Sequence, residues 1–298
     1  MRARKISAGR DGTGVALALG GGFARGFAHL GVLDVLEQEQ IPVSAIAGTS
    51  IGGLLGAAYA DGISTQELCD LGRKVRVRDF IRFQKPGRDT TRNDRIGQFV
   101  REWFQASRVE ELYIPTAIVT TDIETCAAYV FTSGSLELSI RASCAFPGLF
   151  QPVEHEGRRL ADGCIVSPVP TAVAARMNSL CVLGVAVSSN AKNMSSAEDL
   201  SRLRMSTSEK PTMDQDLVGA CQNKGLPDSS WADDADLLLE PAVHHISWDD
   251  FQSVDEAHDA GVEVMRRALP FVREMLDRHA QMRRLETAAG VQQIGLAS

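Results

Sequence analysis

Ile46-Ala47-Gly48-Thr49-Ser50-Ile51-Gly52-Gly53 passes from a short apolar run into a glycine-flanked serine and on into a small-residue segment. The order strand, sharp turn, helix is what these residues predict: Val43 to Ala47 as a buried strand and Ile51 to Ala60 as a helix that can pack closely on a sheet. Ser50 sits at the turn in a G-x-S-x-G pattern formed with Gly48 and Gly52, which exposes a hydroxyl at a helix N-terminus. Glycine on both sides suits a turn with backbone angles that other residues avoid. In a chain with 26 glycines the pattern also arises by chance, so its surroundings decide its meaning.

Upstream, Val15 to Leu19 reads as a second buried strand, and Gly20-Gly21-Gly22-Phe23-Ala24-Arg25-Gly26 follows it directly. Phe27, Leu30, Leu33 and Leu36 then recur at helical spacing until Pro42 stops the helix. Backbone amides without side chains between a strand and a helix can converge on negative charge. A dinucleotide turn is the rival reading, but strict G-x-G-x-x-G fails, since Arg25 or Phe23 falls where glycine is required. The strand that follows ends in Gly48-Thr49-Ser50 and offers no acid for a ribose.

Downstream, Thr116 to Ile123, Ala128 to Thr132, Leu180 to Val187 and Leu237 to Leu239 read as strands. Ser64-Thr65-Gln66-Glu67 is a capping-box signature. Ile96, Phe99, Val100, Trp103 and Phe104 form one helical stripe, and a helix through Ile140 ends before Pro147. Asp249 to Ala268 and Pro270 to Arg284 read as two helices. Short apolar strands alternating with helices predict an α/β fold with a mainly parallel sheet covered on both faces. The expected organisation is a loose tail over 1–14, one domain over 15–270 and a C-terminal helix and tail over 271–298. Residues 190–235, rich in Ser, Asp and Lys with Pro211 and Pro227, read as a mobile loop or lid.

The 298 residues are 44% hydrophobic and 23% charged, an ordinary globular composition, and the net charge of −7 argues against a general nucleic-acid binder. Charge is uneven: 73–101 holds ten Lys or Arg and three acidic residues. That basic segment is the candidate contact with phosphates or an anionic membrane, although a solvated arginine-rich loop and helix face accounts for it more simply and is the preferred reading. The basic Met1-Arg2-Ala3-Arg4-Lys5 is not followed by an apolar run of signal-peptide length, and no stretch is long enough to span a bilayer. Six cysteines without a C-x-x-C pair point to reduced thiols in a cytoplasmic protein, peripheral at most to a membrane. No EF-hand-like loop is present, and neither metal nor cofactor is expected.

The remaining chemistry lies in Leu160-Ala161-Asp162-Gly163, an acid at a strand end. Asp-Gly alone is an ordinary turn signal. In a closed, partly apolar site, however, Asp162 could orient Ser50 and accept its proton. Together, Gly20-Gly21-Gly22…Arg25-Gly26, Gly48-Thr49-Ser50-Ile51-Gly52 and Asp162-Gly163 resemble the signature of the patatin-like phospholipases, in the same order. Ala142 to Phe150 and Ser167-Pro168-Val169-Pro170 are similar to bacterial members. The resemblance implies a three-layer α/β/α fold and hydrolysis of phospholipid or other fatty-acyl esters by a Ser–Asp dyad without histidine. It makes Ser50 the nucleophile, Asp162 the base, and the Gly21, Gly22 and Phe23 backbone the oxyanion site, with Arg25 as the basic residue of the glycine motif. Two departures from the family pattern are Phe23, where glycine is common, and Cys164, where glycine or alanine is common.

Three alternatives stay open at this level. Ser50, Asp162 and His244 or His245 also satisfy the chain order of a Ser-Asp-His triad. An acyl-CoA- or carrier-dependent acyltransferase uses a related elbow, and a non-catalytic lipid-binding module would keep the fold alone.

Overall fold

The computed structural model describes residues 13–75, 94–147, 149–188 and 233–294, with side chains to residue 282. The tail over 1–12, most of the basic segment 73–101, and the expected lid apart from 233–235 lie outside the described residues. Eight strands form one sheet: β1 (Val15–Leu19), β2 (Val43–Thr49), β3 (Thr116–Asp122), β4 (Ala127–Phe131), β5 (Val153–His155), β6 (Arg158–Asp162), β7 (Cys181–Val185) and β8 (Leu237–Leu239). β8, β7, β1, β2 and β3 lie side by side and parallel. β4, β5 and β6 add antiparallel pairs. The sheet is therefore mainly parallel, as its apolar, turn-bounded strands predict.

One feature of the register positions the site. β4 takes one edge of β3 along Ile118–Asp122. β2 and β6 divide the opposite edge, β2 beside Thr116–Val119 and β6, running the other way, beside Thr120–Asp122. Thr49 pairs with Val119 and Asp162 with Thr120, so the C-terminal ends of β2 and β6 meet head-on.

The helices are α1 (Ala28–Gln38), α2 (Ile51–Ala60), α3 (Thr65–Lys74), α4 (Asp94–Trp103), α5 (Leu136–Ser143), α6 (Thr171–Ala175) and α7 (Val254–Ile294). Alternation along β1 separates two layers. Val15, Leu17 and Leu19 join the larger core with α1, α2, α4, α5 and α7. Ala16 and Ala18 face a thinner layer of Ala45, Ala47 and Ala117, covered by Val169 and by Ala174 of α6. The result is a three-layer α/β/α arrangement. Ser64 caps α3 with a reciprocal capping box to Glu67, as its sequence predicts.

Three local expectations need correction. The two C-terminal helices are one: α7 begins at Val254 and runs through Pro270. A proline interior to a helix removes one hydrogen bond and costs about 3 kcal/mol. Here Met265, Ala268 and Val272 form one buried stripe that crosses Pro270, and that packing carries the helix past it. The expected border at 270/271 falls inside this helix. The β5 strand and α6 were not foreseen, because three- and five-residue elements are too short for a periodic signal. Finally, Cys69, Cys144, Cys164 and Cys181 are free thiols, whereas Cys126 is disulfide-bonded, so the reading of reduced thiols throughout fails at that position.

Candidate active site

Ser50 follows the last residue of β2 and precedes the first of α2, with φ 54° and ψ −125°. A positive φ on a non-glycine residue is strained and is retained where surrounding structure over-determines it. Here the Ser50 N–H donates to Ser143 Oγ at 2.8 Å, and that hydroxyl in turn donates to the Val119 carbonyl at 2.7 Å. The glycines of the motif leave room for the turn. A side chain on Gly48 would lie 2.5 Å from the Gly53 Cα, and one on Gly52 would lie 2.2 Å from the Leu19 carbonyl.

The Ser50 hydroxyl donates to Asp162 Oδ2 at 2.7 Å. Asp162 Oδ1 accepts from the Cys164 N–H at 2.9 Å, and the Asp162 carbonyl accepts from Thr121 Oγ1 at 2.8 Å. The Asp162 N–H donates to the Ala145 carbonyl. The carboxylate is thus gripped at both oxygens and its backbone at both ends. A side chain on the adjacent Gly163 would press within 2.4 Å of the Val119 carbonyl. Asp162 is fully buried, and burial pushes its pKa up to about 6, opposed by the hydrogen bonds from Ser50 and Cys164. Such a value suits a base working near neutral pH.

The glycine loop lies against this pair: a β-carbon on Gly21 would be 2.0 Å from Cys164 Sγ and 3.2 Å from Ser50 Cβ. Of the three amides expected to face an oxyanion, that of Gly21 is engaged, donating to the Pro168 carbonyl at 3.1 Å. Gly20 N–H likewise donates to Val185. The amides of Gly22 and Phe23 meet no acceptor among the described residues. The narrowed set follows from the Ser167-Pro168 segment crossing over the loop. Phe23 holds φ 50°, and its ring packs edge-on against Phe146 and Trp248 at 5.3 and 5.2 Å between centroids. These contacts hold a side chain in a backbone region that favours glycine. Arg25 is half-buried and its Nε donates to the Ile246 carbonyl at 2.7 Å, anchoring the loop to the segment before α7. A side chain on Gly26 would collide with Ile51.

Among the described residues no histidine is bonded to Ser50 or Asp162. His245 Nε2 lies 2.7 Å from Glu256 Oε1 at the surface, and His258 pairs with Asp34. Burial, then the neighbouring Asp162 carboxylate, push the Cys144 and Cys164 thiols up, which removes both as rival nucleophiles at neutral pH. Among the described residues there is no group of three or more His, Cys, Asp or Glu able to hold a metal. No described helix is long and apolar enough to cross a membrane.

Ser50, Asp162 and the glycine loop, singled out by their motifs, lie together in the structure. No motif points to Ser143 and Thr121, whose hydroxyls hold the backbone of Ser50 and Asp162, or to His29 beneath the loop. Ser143 was within reach, since it lies in the Ala142–Phe150 stretch, but nothing in that stretch marks which hydroxyl turns inward.

Residues 17–175 match the family model described as patatin-like phospholipase. The chain is 37% identical over 188 residues to an uncharacterized NTE family protein of Mycobacterium tuberculosis, covering 62% of this chain and 51% of that one. It is 34% identical over 191 residues to patatin-like phospholipase domain-containing protein 6 of Homo sapiens, covering 60% of this chain and 14% of the other. It is 35% identical over 186 residues to a lysophospholipase of Mycosarcoma maydis, at 60% and 10% coverage. The chain therefore spans about half the length, or far less, of these relatives. The crystal structure of VipD from Legionella pneumophila superposes with a TM-score of 0.51 at 12% identity, over 90% of this chain and 67% of that one, a likeness of fold. With more than half its length matched by the family model and its motifs folded into one site, the chain belongs to the patatin-like phospholipase family.

Proposed function

We propose that this chain is a serine lipid acyl hydrolase of the phospholipase A, lysophospholipase or esterase type, acting through a Ser50–Asp162 dyad. The observation that carries the reading is the 2.7 Å hydrogen bond from a strained, elbow-borne Ser50 to a buried Asp162 with a raised pKa. Ser50 Oγ attacks the ester carbonyl while Asp162 takes the hydroxyl proton. The carbonyl oxygen gathers negative charge, which in this reading falls to the amides of Gly22 and Phe23; that neither meets an acceptor among the described residues supports it. Collapse expels the alcohol, which takes the proton from Asp162, and leaves an acyl-enzyme. The ionised Asp162 then takes a proton from water as the water oxygen attacks the acyl carbon, and return of that proton to Ser50 Oγ releases the fatty acid and regenerates Ser50.

Membership of a phospholipase family, with a lysophospholipase among the relatives, favours a fatty-acyl ester of a glycerolipid as substrate. The catalytic unit of this reading begins at residue 15 and takes in α7, which runs through the expected border at 270. Association with a membrane surface through 73–101 and a cytoplasmic site of action are further parts of it. The pairing of His245 with Glu256 leaves a Ser-Asp-His triad without support.

Covalent labelling with a fluorophosphonate, beside an ester panel across chain lengths and lipid classes, tests the proposal. Labelling and hydrolysis that vanish together in Ser50→Ala are expected. Absence of labelling in folded wild-type protein would leave a non-catalytic lipid-binding module, and turnover only with acyl-CoA and an acceptor would favour a transferase.

A further inference from the structure

His29, near the start of α1, is fully buried and lies outside the mechanism above. Its Nε2 is 2.7 Å from the Gly20 carbonyl oxygen. A carbonyl only accepts, so Nε2 carries the hydrogen. Burial lowers the His29 pKa to about 4, which keeps the ring neutral and leaves Nδ1 without a proton. Among the described residues Nδ1 has no hydrogen-bond partner.

The carbonyl that His29 holds belongs to the Gly20–Gly21 peptide, whose N–H donates to Pro168 at 3.1 Å. That peptide is therefore clamped from both ends, by an imidazole below and a carbonyl above. The chain leaving it enters Gly22 and then Phe23, the residues whose amides meet no acceptor among the described residues. As ordinary core packing His29 is a poor choice. A buried orphan acceptor such as Nδ1 costs more than an ordinary hydrogen bond contributes. An apolar residue of equal volume would fill the space without that cost.

We propose that His29 is a positioning residue for ester hydrolysis: its Nε2–H locks the Gly20–Gly21 peptide and thereby aims the Gly22 and Phe23 amides at the carbonyl oxygen of the substrate. The proposal rests on reading that loop as the oxyanion site. No atom of His29 touches the substrate. Its effect is confined to the transition state, where loop amides out of line lose most of their electrostatic contribution.

Two variants and two substrates test it. His29→Met removes the donor at similar volume, and His29→Gln restores an N–H at the reach of Nε2. Each is assayed for kcat and KM on a fatty-acyl ester and on the matching thionoester, whose sulfur is a weak hydrogen-bond acceptor, with melting temperatures recorded alongside. The wild type should prefer the ester strongly. His29→Met should lose roughly 10- to 100-fold in kcat at near-constant KM, less than the 10²–10³ of deleting a donor outright. Its preference for ester over thionoester should narrow, and His29→Gln should recover most of both. The melting temperature of His29→Met should match that of His29→Gln. Wild-type kcat and wild-type discrimination in His29→Met would overturn the role of His29 alone, as would equal loss in two well-folded variants. A wild type that does not distinguish ester from thionoester would instead overturn the oxyanion reading of the loop and this proposal with it.

Discussion

Ser50 and Asp162, 112 positions apart, meet because β2 and β6 approach each other along one edge of β3, with Thr49 beside Val119 and Asp162 beside Thr120. An antiparallel strand is what lets the acid arrive from the opposite direction to the serine. A parallel strand over the same three residues would have carried Asp162 to Asp122, away from the end of β2.

The raised pKa of Asp162 sets an acid limb. A dyad base must be ionised, so kcat/KM should rise with pH through a midpoint of about 6. Stability has the opposite trend for this group. The native carboxyl holds its proton more tightly than the unfolded one, so its contribution falls as pH climbs from 3.8 towards about 6. A rate profile on a stable substrate, flat between about pH 4.3 and pH 8, would contradict the assignment.

The strain at Ser50 has a separable signature. Ser50→Ala and Ser50→Gly both lose the hydroxyl bonded to Asp162, but only glycine adopts φ 54° without penalty. The Gly variant should be more stable than the Ala variant by about 1 kcal/mol. Chemical denaturation of the two inactive proteins measures it, and an equal or more stable Ala variant would show a relaxed elbow.

α1 and α7 touch at backbone distance. A β-carbon on Gly261 would lie 1.9 Å from the Ala28 carbonyl, and one on Gly31 would lie 2.0 Å from the His258 carbonyl. Backbone atoms cannot step aside as a flexible side chain can. Gly261→Ala should cost about 1–3 kcal/mol of stability through overpacking. A melting temperature equal to wild type would refute so close a contact.

The same interface carries a charge pair. Asp34 accepts from His258 Nε2 at 2.7 Å and also accepts from the Thr65 hydroxyl. Hydrogen bonding to Asp34 raises the His258 pKa above its usual 6.5, against partial desolvation, with Asp259 adding to the rise. A raised histidine pKa gives stability that is complete below the unfolded value and is lost as pH rises through the folded one. Asp34→Asn should lower the melting temperature at pH about 6 and flatten its decline above pH about 7. A decline of unchanged slope would place its origin elsewhere.

Long apolar elements were legible in the sequence because burial imposes periodicity on them. β1, α2 and β8 fall where their patterns put them, and Ser64 announces α3 by its own capping chemistry. The Ser50 turn was legible because close backbone approach admits only glycine beside it. Pro270 misled, since a local rule for ending helices yielded to a buried stripe continuous across it. The donor set of the loop was half legible. Gly21, Gly22 and Phe23 share one strand-to-helix turn, but only tertiary structure brings the Pro168 carbonyl onto Gly21. His29 was illegible for the same reason: one histidine on an apolar helix face carries no mark of what it bonds.

Steady-state hydrolysis of a fatty-acyl ester by Asp162→Asn, beside the wild type and the His244→Ala/His245→Ala double variant, measures the dyad most directly. Asn keeps the size of the side chain but cannot take the proton from Ser50. Turnover should fall by roughly 10²–10⁴ in Asp162→Asn, with its fold retained, while the double histidine variant keeps most of its rate. Near-normal turnover in Asp162→Asn, or loss of activity on removing the two histidines, would contradict the Ser50–Asp162 dyad.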